Sequence, residues 1–255
     1  MAPTISQPAR YPLWSDALGG LNHHSLWHIE HLLNRSSDSA TSHSYWAFPM
    51  SLYEKYVLPH VINCACGAPA VRKQREKVVP QATGRVLELG VGTGLNAEFY
   101  RVDVVSGVVG VDPSRESWAL AEPKIARAQV PIEYCEASAE ELPLPKDSFD
   151  TVVITYTLCT IPDAARALAE VARVLRPGGL VLVAEHALAP DASVEKWQHR
   201  LDGFWGKIAG GCHINRNIRS LLDNSPLTVT GWQGMYLPQT PKVAGYNVWG
   251  SATLA

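Results

Sequence analysis

Several features that particular functional classes require are scarce in this 255-residue chain. Neither sign of charge is in clear excess, since 22 basic side chains face 24 acidic ones and the net charge is −2. Because proteins that bind nucleic acids generally carry a basic excess, we expect no nucleic-acid partner. No segment approaches the roughly 20 apolar residues that a transmembrane helix needs, so no transmembrane segment is predicted. Charged residues make up only 18% of the chain, against an average of about 25%, which predicts more apolar surface than usual.

A disulfide framework and a secretory signal are also missing. The five cysteines are odd in number and are not spaced as a framework, which favours free thiols in a reducing cytoplasm. Residues 1–10 lack the basic cluster and the apolar core of a signal peptide. We therefore expect a cytoplasmic protein. An organelle transit peptide is the alternative, because residues 1–44 are rich in Ser and His and poor in acids.

The first 44 residues differ in composition from the rest and are predicted to be an extension rather than a second domain. A helix is predicted at 16–33, followed by a polar linker at 34–44. His24, His28 and His31 share one face of that helix. We interpret this face as packed or solvated, so no metal site is predicted. The aromatic residues of this part favour a lid or a dimer contact, and both a monomer and a homodimer stay open.

Residues 45–255 are predicted to form one α/β domain with a helical cover at its start. Helices are expected within 50–79, with a break at 67–69, and contact of 45–61 with a membrane surface stays an alternative. After these helices, strands are predicted at 85–89, 108–111, 132–135, 151–155, 180–184, 227–232 and 246–253. Helices are predicted between them at 95–101, 115–128, 163–175 and 194–208. Such alternation is typical of βαβ units, a parallel sheet and helices on both of its faces.

A glycine-rich loop follows the first strand of this pattern. Gly90, Gly92 and Gly94 give the spacing G-x-G-x-G, which lets the backbone turn sharply and approach a ligand closely. The dinucleotide fingerprint G-x-G-x-x-G fails, because Leu95 stands where its third glycine should be. Glu88, just before the loop, suits a cationic amine better than a phosphate. These two departures disfavour an oxidoreductase that uses a dinucleotide.

Asp112 ends the second predicted strand, 18 residues beyond Gly94. An acid at this place binds both hydroxyls of a ribose. A ribose, a cationic amine and the lack of a phosphate together describe S-adenosylmethionine (SAM). The alternative, a purely structural turn with a helix cap, explains the glycines but not Glu88 and Asp112 together.

The order of these motifs resembles that of the class I SAM-dependent methyltransferases over residues 70–255. The resemblance rests on the segments 88–94, 112, 138–143, 148–153 and 175–179. It implies a Rossmann-like, seven-stranded and mostly parallel sheet with helices on both faces and an antiparallel last strand pair. It also implies that SAM is the cofactor.

The same resemblance implies a place for each part of the cofactor. Glu88 to Gly94 would hold the methionine moiety, and Asp112 the ribose. Ser138 and Ala139 would hold the adenine edge, although the family often has Asp where this chain has Ser138, and a hydroxyl is a weaker acceptor. The sulfonium would be flanked by Thr155 and Tyr156. The expected cofactor-binding set is completed by Asn96, Pro113, Glu140 and Leu158.

A narrower resemblance rests on segments between residues 94 and 216. The segments 94–100, 157–161, 185–186 and 211–213, together with Trp197 and Arg216, are similar to the methyltransferase-like-seven group and its bacterial relatives. This resemblance implies methylation of a small thiol or sulfide. Animal members carry a hydrophobic N-terminal anchor, which the polar first 44 residues of this chain do not match.

The acceptor chemistry favours a thiol as well. A thiol with a pKa of about 8.5 is partly ionised near neutrality, so it needs a cationic or hydrogen-bonding neighbour and no strong base. His186 and His213 are candidates to take the proton or stabilise the thiolate. Arg216 and Tyr156 complete the predicted catalytic set. For His186 the alternative is a supporting position that fixes a loop. For His213 and Arg216 it is a helix start that is pinned to a neighbouring acid.

Other functions stay open from the residues alone. One alternative is an N- or O-methyltransferase of a quinone, a lipid head group or a small metabolite. A non-catalytic SAM-binding protein is another. A metalloid (arsenite) methyltransferase would need converging thiols, for which the candidates are Cys64, Cys66, Cys159 and Cys212. Cys159 and Cys212 are otherwise interpreted as small buried fillers.

Overall fold

The computed structural model describes residues 52–254. The helix predicted at 16–33, the linker at 34–44 and the histidine face between them lie outside the described residues. No helix of the described part is long and apolar enough to span a bilayer.

A seven-stranded sheet forms the centre of this part of the chain. Its spatial order is β3-β2-β1-β4-β5-β7-β6, and β7 alone runs antiparallel to both of its neighbours. The predicted Rossmann-like sheet with an antiparallel last strand pair is therefore confirmed. The strands are β1 Gly84–Leu89, β2 Val105–Val111, β3 Ile132–Cys135, β4 Phe149–Thr155, β5 Leu175–His186, β6 Leu227–Tyr236 and β7 Tyr246–Leu254.

Helices connect and cover these strands. Several begin at ordinary capping residues: the Ser114 hydroxyl accepts from the Ser117 amide, and the Asp163 carboxylate accepts from the Arg166 amide. The expected break at 67–69 separates two helices. The helices of the described residues are α1 Leu52–Tyr56, α2 Leu58–Cys66, α3 Pro69–Val78, α4 Arg115–Ile125, α5 Ala164–Val174, α6 Ala192–Ile208, α7 Ile218–Asp223 and α8 Lys242–Gly245.

The helix predicted at 95–101 is wrong. Turns occupy this segment, and only Ala97–Phe99 forms a short 3-10 helix. Gly94 adopts a left-handed backbone with φ +71°, which does not continue into an α-helix. The fully buried Asn96 points inward to bind Glu88, so side-chain hydrogen bonds fix the segment as a turn.

Two apolar clusters cover the two faces of the sheet, as a parallel sheet buried on both sides requires. Alternate residues of β1 divide between them: Leu87 and Leu89 join one cluster and Val86 joins the other.

The sheet order also sets the position of a crevice. The chain runs outward from β1 to β2 on one side and from β4 to β5 on the other, and ligands of open α/β sheets bind where the order reverses.

Candidate functional site

A cavity of about 480 Å³ opens at this crevice. Its wall combines the ends of β1, β2 and β4 with residues of α2 and the turn after α6. Most of the residues predicted to bind a cofactor line it: Gly90, Gly92, Asp112, Pro113, Ser138, Ala139, Glu140 and Thr155. The loops that sequence spacing singled out thus meet at one site.

The glycine loop has the backbone that its spacing predicted. Gly90 lies at φ +73°, a conformation that L-residues seldom adopt, and a Cβ there would come within 2.3 Å of the Thr157 side chain. Gly92 is different, because a Cβ would meet only the Asp112 carboxylate and the Gly90 carbonyl, both at 3.9 Å. The space above Gly92 is therefore open to a ligand.

Asp112 is held by two backbone amides. Its Oδ2 accepts from Gly92 N and its Oδ1 from Ser114 N, both at 2.9 Å. Burial raises the pKa of this carboxyl, and the two amide hydrogen bonds oppose that rise. Each oxygen keeps a lone pair, so the carboxylate is positioned to accept from two neighbouring hydroxyls.

Glu88 lies beneath the loop and does not line the cavity. Its carboxyl accepts from Asn96 Nδ2 at 2.9 Å and from the Tyr100 hydroxyl at 2.7 Å. Burial raises its pKa to about 7, against hydrogen bonds and the nearby Arg75 charge, which lower it. Asn96 also donates to Thr155 Oγ1 at 2.9 Å, so Glu88 supports the end of β4 through Asn96.

Arg75 of α3 belongs to this site, and sequence reasoning missed it. Its Nη1 donates to Asn96 Oδ1 at 2.9 Å and to Thr155 Oγ1 at 2.5 Å. The buried guanidinium lines the cavity, and its Nε has no hydrogen-bond partner among the described residues. A signal was present in the sequence: Arg75 stands at i+4 from Val71 and i−3 from Val78, inside an apolar helical stripe.

Hydrogen bonds to buried side chains hold the turn after β4 in place. Tyr156 lies at φ +55° and lines the cavity, and its hydroxyl donates to Asn247 Oδ1 at 2.7 Å. Burial raises the pKa of Tyr156 well above its usual range, so the phenol stays protonated near neutrality. The buried Glu185 accepts the amides of Thr157 and Leu158 at 2.7 and 2.9 Å. Leu158 is buried beneath the turn and is not part of the cavity wall.

The other three residues of the predicted catalytic set do not line the cavity. His213 Nδ1 lies 2.8 Å from Asp202 Oδ2, and Arg216 donates to the carbonyls of Leu158 and Ile161 at 2.5 Å. His186 instead meets two cysteines, Cys212 and through it Cys159. His186, His213 and Arg216 thus have different hydrogen-bond partners, and none of the three lines the cavity.

Comparison with known proteins gives a family. A model described as "Methyltransferase domain" matches residues 87–183. The thiol S-methyltransferase TMT1B of Rattus norvegicus is 32% identical over 170 residues, which cover 64% of this chain and 70% of that protein. A phosphatidylethanolamine N-methyltransferase of Cereibacter sphaeroides is 39% identical over 128 residues, which cover 48% of this chain and 62% of that protein.

The fold itself has solved relatives. The structure of an S-adenosylmethionine-dependent methyltransferase from Mesorhizobium loti aligns with a TM-score of 0.55 at 22% identity. The alignment covers 73% of this chain and 98% of that protein. At this level of identity the likeness supports the fold alone.

Proposed function

The chain belongs to the class I SAM-dependent methyltransferases, and we propose that it methylates the sulfur of a small thiol or sulfide. One observation about the cavity carries the choice of acceptor. Among the residues that the structure describes, the cavity wall contains a buried cation, Arg75, and no histidine. This wall lacks a strong base for an alcohol, but a cation is what a thiol of pKa about 8.5 needs to ionise near neutrality.

SAM is the cofactor, and the wall fits it. Gly92 leaves room for close approach, and Asp112 presents a carboxylate fixed by two amides. The unpartnered Nε of Arg75 is a buried donor that we leave to the acceptor sulfur rather than to SAM. When bound, SAM supplies an electrophilic methyl group on a sulfonium. We assign the ribose to Asp112 and Pro113, and the adenine edge to Ser138, Ala139 and Glu140.

The residues around the methyl group act by position and charge. Thr155 and Tyr156 form the wall at the end of β4, where the Asn247 and Asn96 hydrogen bonds hold them. Arg75 lies with its Cζ 5.0 Å from the centre of the Tyr156 ring. We assign Arg75 the role of favouring the thiolate form of the acceptor. Arg216 is a positioning residue, since it holds the carbonyls of the buried Leu158 and of the wall residue Ile161.

The test is methylation of a defined panel of acceptors. The purified protein is incubated with SAM and, in separate reactions, hydrogen sulfide, methanethiol, a larger alkyl thiol, a quinol and phosphatidylethanolamine vesicles. Mass spectrometry then identifies the methylated product. We expect thioether products, and we expect Arg75→Met to lower kcat/KM by at least tenfold at pH 7, with a smaller loss at pH 9, where the acceptor ionises without help.

Arg75→Lys is the matched control, because it keeps the charge and should retain more activity than Arg75→Met. Production of methylated phospholipid without any thioether would overturn the proposal. It would favour N-methylation of a lipid head group instead. That second candidate is supported by the similarity to the phosphatidylethanolamine N-methyltransferase.

A further inference from the structure

Two cysteines and a histidine converge behind the cavity wall. Cys159 lies in the turn after β4, His186 is the last residue of β5, and Cys212 lies in the loop after α6. His186 Nε2 is 2.8 Å from Cys212 Sγ, and the two sulfur atoms are 3.7 Å apart. All three possible ligand atoms lie within 4.8 Å of one another. The backbone fixes this approach, because the His213 amide donates to the Cys159 carbonyl at 2.9 Å.

The distance between the two sulfur atoms is close to that of a tetrahedral zinc site, whereas the distance from His186 to Cys212 is shorter. Zn–S bonds of about 2.3 Å place two thiolates about 3.8 Å apart, and the sulfur atoms here are 3.7 Å apart. An imidazole nitrogen on the same ion would lie about 3.6 Å from each sulfur. The ring of His186 would therefore withdraw by roughly 0.8 Å to admit the ion between it and Cys212.

We propose that Cys159, His186 and Cys212 bind one zinc ion through two thiolates and one imidazole. The set is neutral once Zn²⁺ joins two thiolates, which suits its half-buried to buried position. Hard cations such as Mg²⁺ prefer oxygen ligands, and none of the three residues supplies one. A trivalent arsenic held by three thiols fits less well, because this group has two thiols and an imidazole.

Three protein ligands leave the fourth zinc position open, as in catalytic rather than structural zinc sites. Thr160, next to Cys159, and Gly210, two residues before Cys212, both line the cavity. None of the three ligands lines the cavity, so the ion would lie directly behind the wall that these two residues form, with water at its fourth position. Zinc binding does not rest on the proposed function.

The experiment measures metal binding by the full chain. Zinc is removed with a chelator, and the protein is titrated with zinc against a chromogenic chelator and, separately, with Co²⁺. We expect one zinc ion per chain and cobalt spectra with thiolate charge-transfer bands and tetrahedral d–d bands. Cys159→Ser and Cys212→Ser should each weaken zinc binding at least tenfold. Cys64→Ser is the matched control, because Cys64 is exposed and outside the group, and it should bind as the unmodified chain does.

Cys159 is buried, so the folding of its variant is checked by circular dichroism, and the half-buried Cys212 variant decides if Cys159→Ser does not fold. Zinc binding retained by Cys212→Ser, cobalt spectra without thiolate bands, or a Cys159–Cys212 disulfide in place of bound metal would overturn the proposal. Bound zinc with no methylated thiol would contradict the proposed function and leave the metal site standing.

Discussion

Burial raises the pKa of the Glu88 carboxyl group to a value close to neutral pH. Its pKa of about 7 reflects the loss of solvent around the charged form, which two hydrogen bonds and the Arg75 charge only partly offset. The group therefore changes charge near neutrality, directly below the glycine loop. Asn96 donates to both Glu88 and Thr155. The change in charge of Glu88 therefore acts on a side chain that also binds the cavity wall.

We predict that Glu88→Gln flattens the pH dependence of stability. The pKa of Glu88 is raised from its usual 4.5 to about 7 on folding, so its contribution is fully present below pH 4.5 and is lost as the pH rises through 7. Between pH 5 and pH 8 the unmodified chain should lose up to about 3 kcal/mol more of its free energy of unfolding than Glu88→Gln. Urea unfolding at both values measures this difference.

Glu122→Gln, at an exposed position on α4, is the control and should leave the pH profile unchanged. Parallel pH profiles for the unmodified chain and Glu88→Gln would show that Glu88 ionises normally inside the fold.

Residues differ in how far the sequence reveals their place. Gly90, Asp112 and Ser138 follow predicted strands, and parallel strands bring their carboxyl ends to one edge, so their meeting at the cavity could be foreseen. Arg75 precedes the sheet, and only the packing of α3 brings it to Thr155. The approach of Cys212 to His186 depends on where the loop after α6 returns, which no spacing encodes.

At the scale of elements, the sheet was more predictable than the segment beside the cavity. Buried parallel strands appear in the sequence as short runs of Val, Leu and Ile, and each predicted strand was confirmed. The predicted helix at 95–101 was wrong because Leu95 and Phe99 have helical spacing while Gly94 and Asn96 impose a turn. Ligand-binding backbone departs from periodic structure, so hydrophobic spacing misjudges it.

The glycine loop offers a prediction at this scale. Gly90→Ala should destabilise the protein by about 3 kcal/mol, because Ala resists φ +73° and its Cβ would meet the Thr157 side chain. Gly203→Ala should instead stabilise it by about 0.5–1 kcal/mol, since Gly203 lies within α6 with nothing in reach of a Cβ. Chemical denaturation measures both changes, and a Gly90→Ala protein as stable as Gly203→Ala would contradict the strained turn.

At the scale of the whole molecule, the cavity gathers residues that lie between Leu58 and Gly210 in the chain. Leu58 and Ile62 come from α2, Asp112 follows β2, Ala139 lies between β3 and β4, and Gly210 follows α6. A ligand bound at this cavity therefore contacts segments that are distant in sequence. The parallel strands β1, β2 and β4 end at the same edge of the sheet, and this topology brings the segments together.

It follows that SAM should raise the melting temperature of the whole domain. A ligand present at 100 times its Kd adds about 2.7 kcal/mol to the free energy of unfolding, which corresponds to roughly 5–10 °C for a chain of this size. Asp112→Ala should reduce this shift at the same SAM concentration, because the variant loses the carboxylate assigned to the ribose. Asp103→Ala, at an exposed aspartate paired with Arg101, should keep the full shift. Thermal unfolding followed by circular dichroism with and without SAM measures both, and an equal shift in Asp112→Ala and the unmodified chain would rule out the ribose assignment.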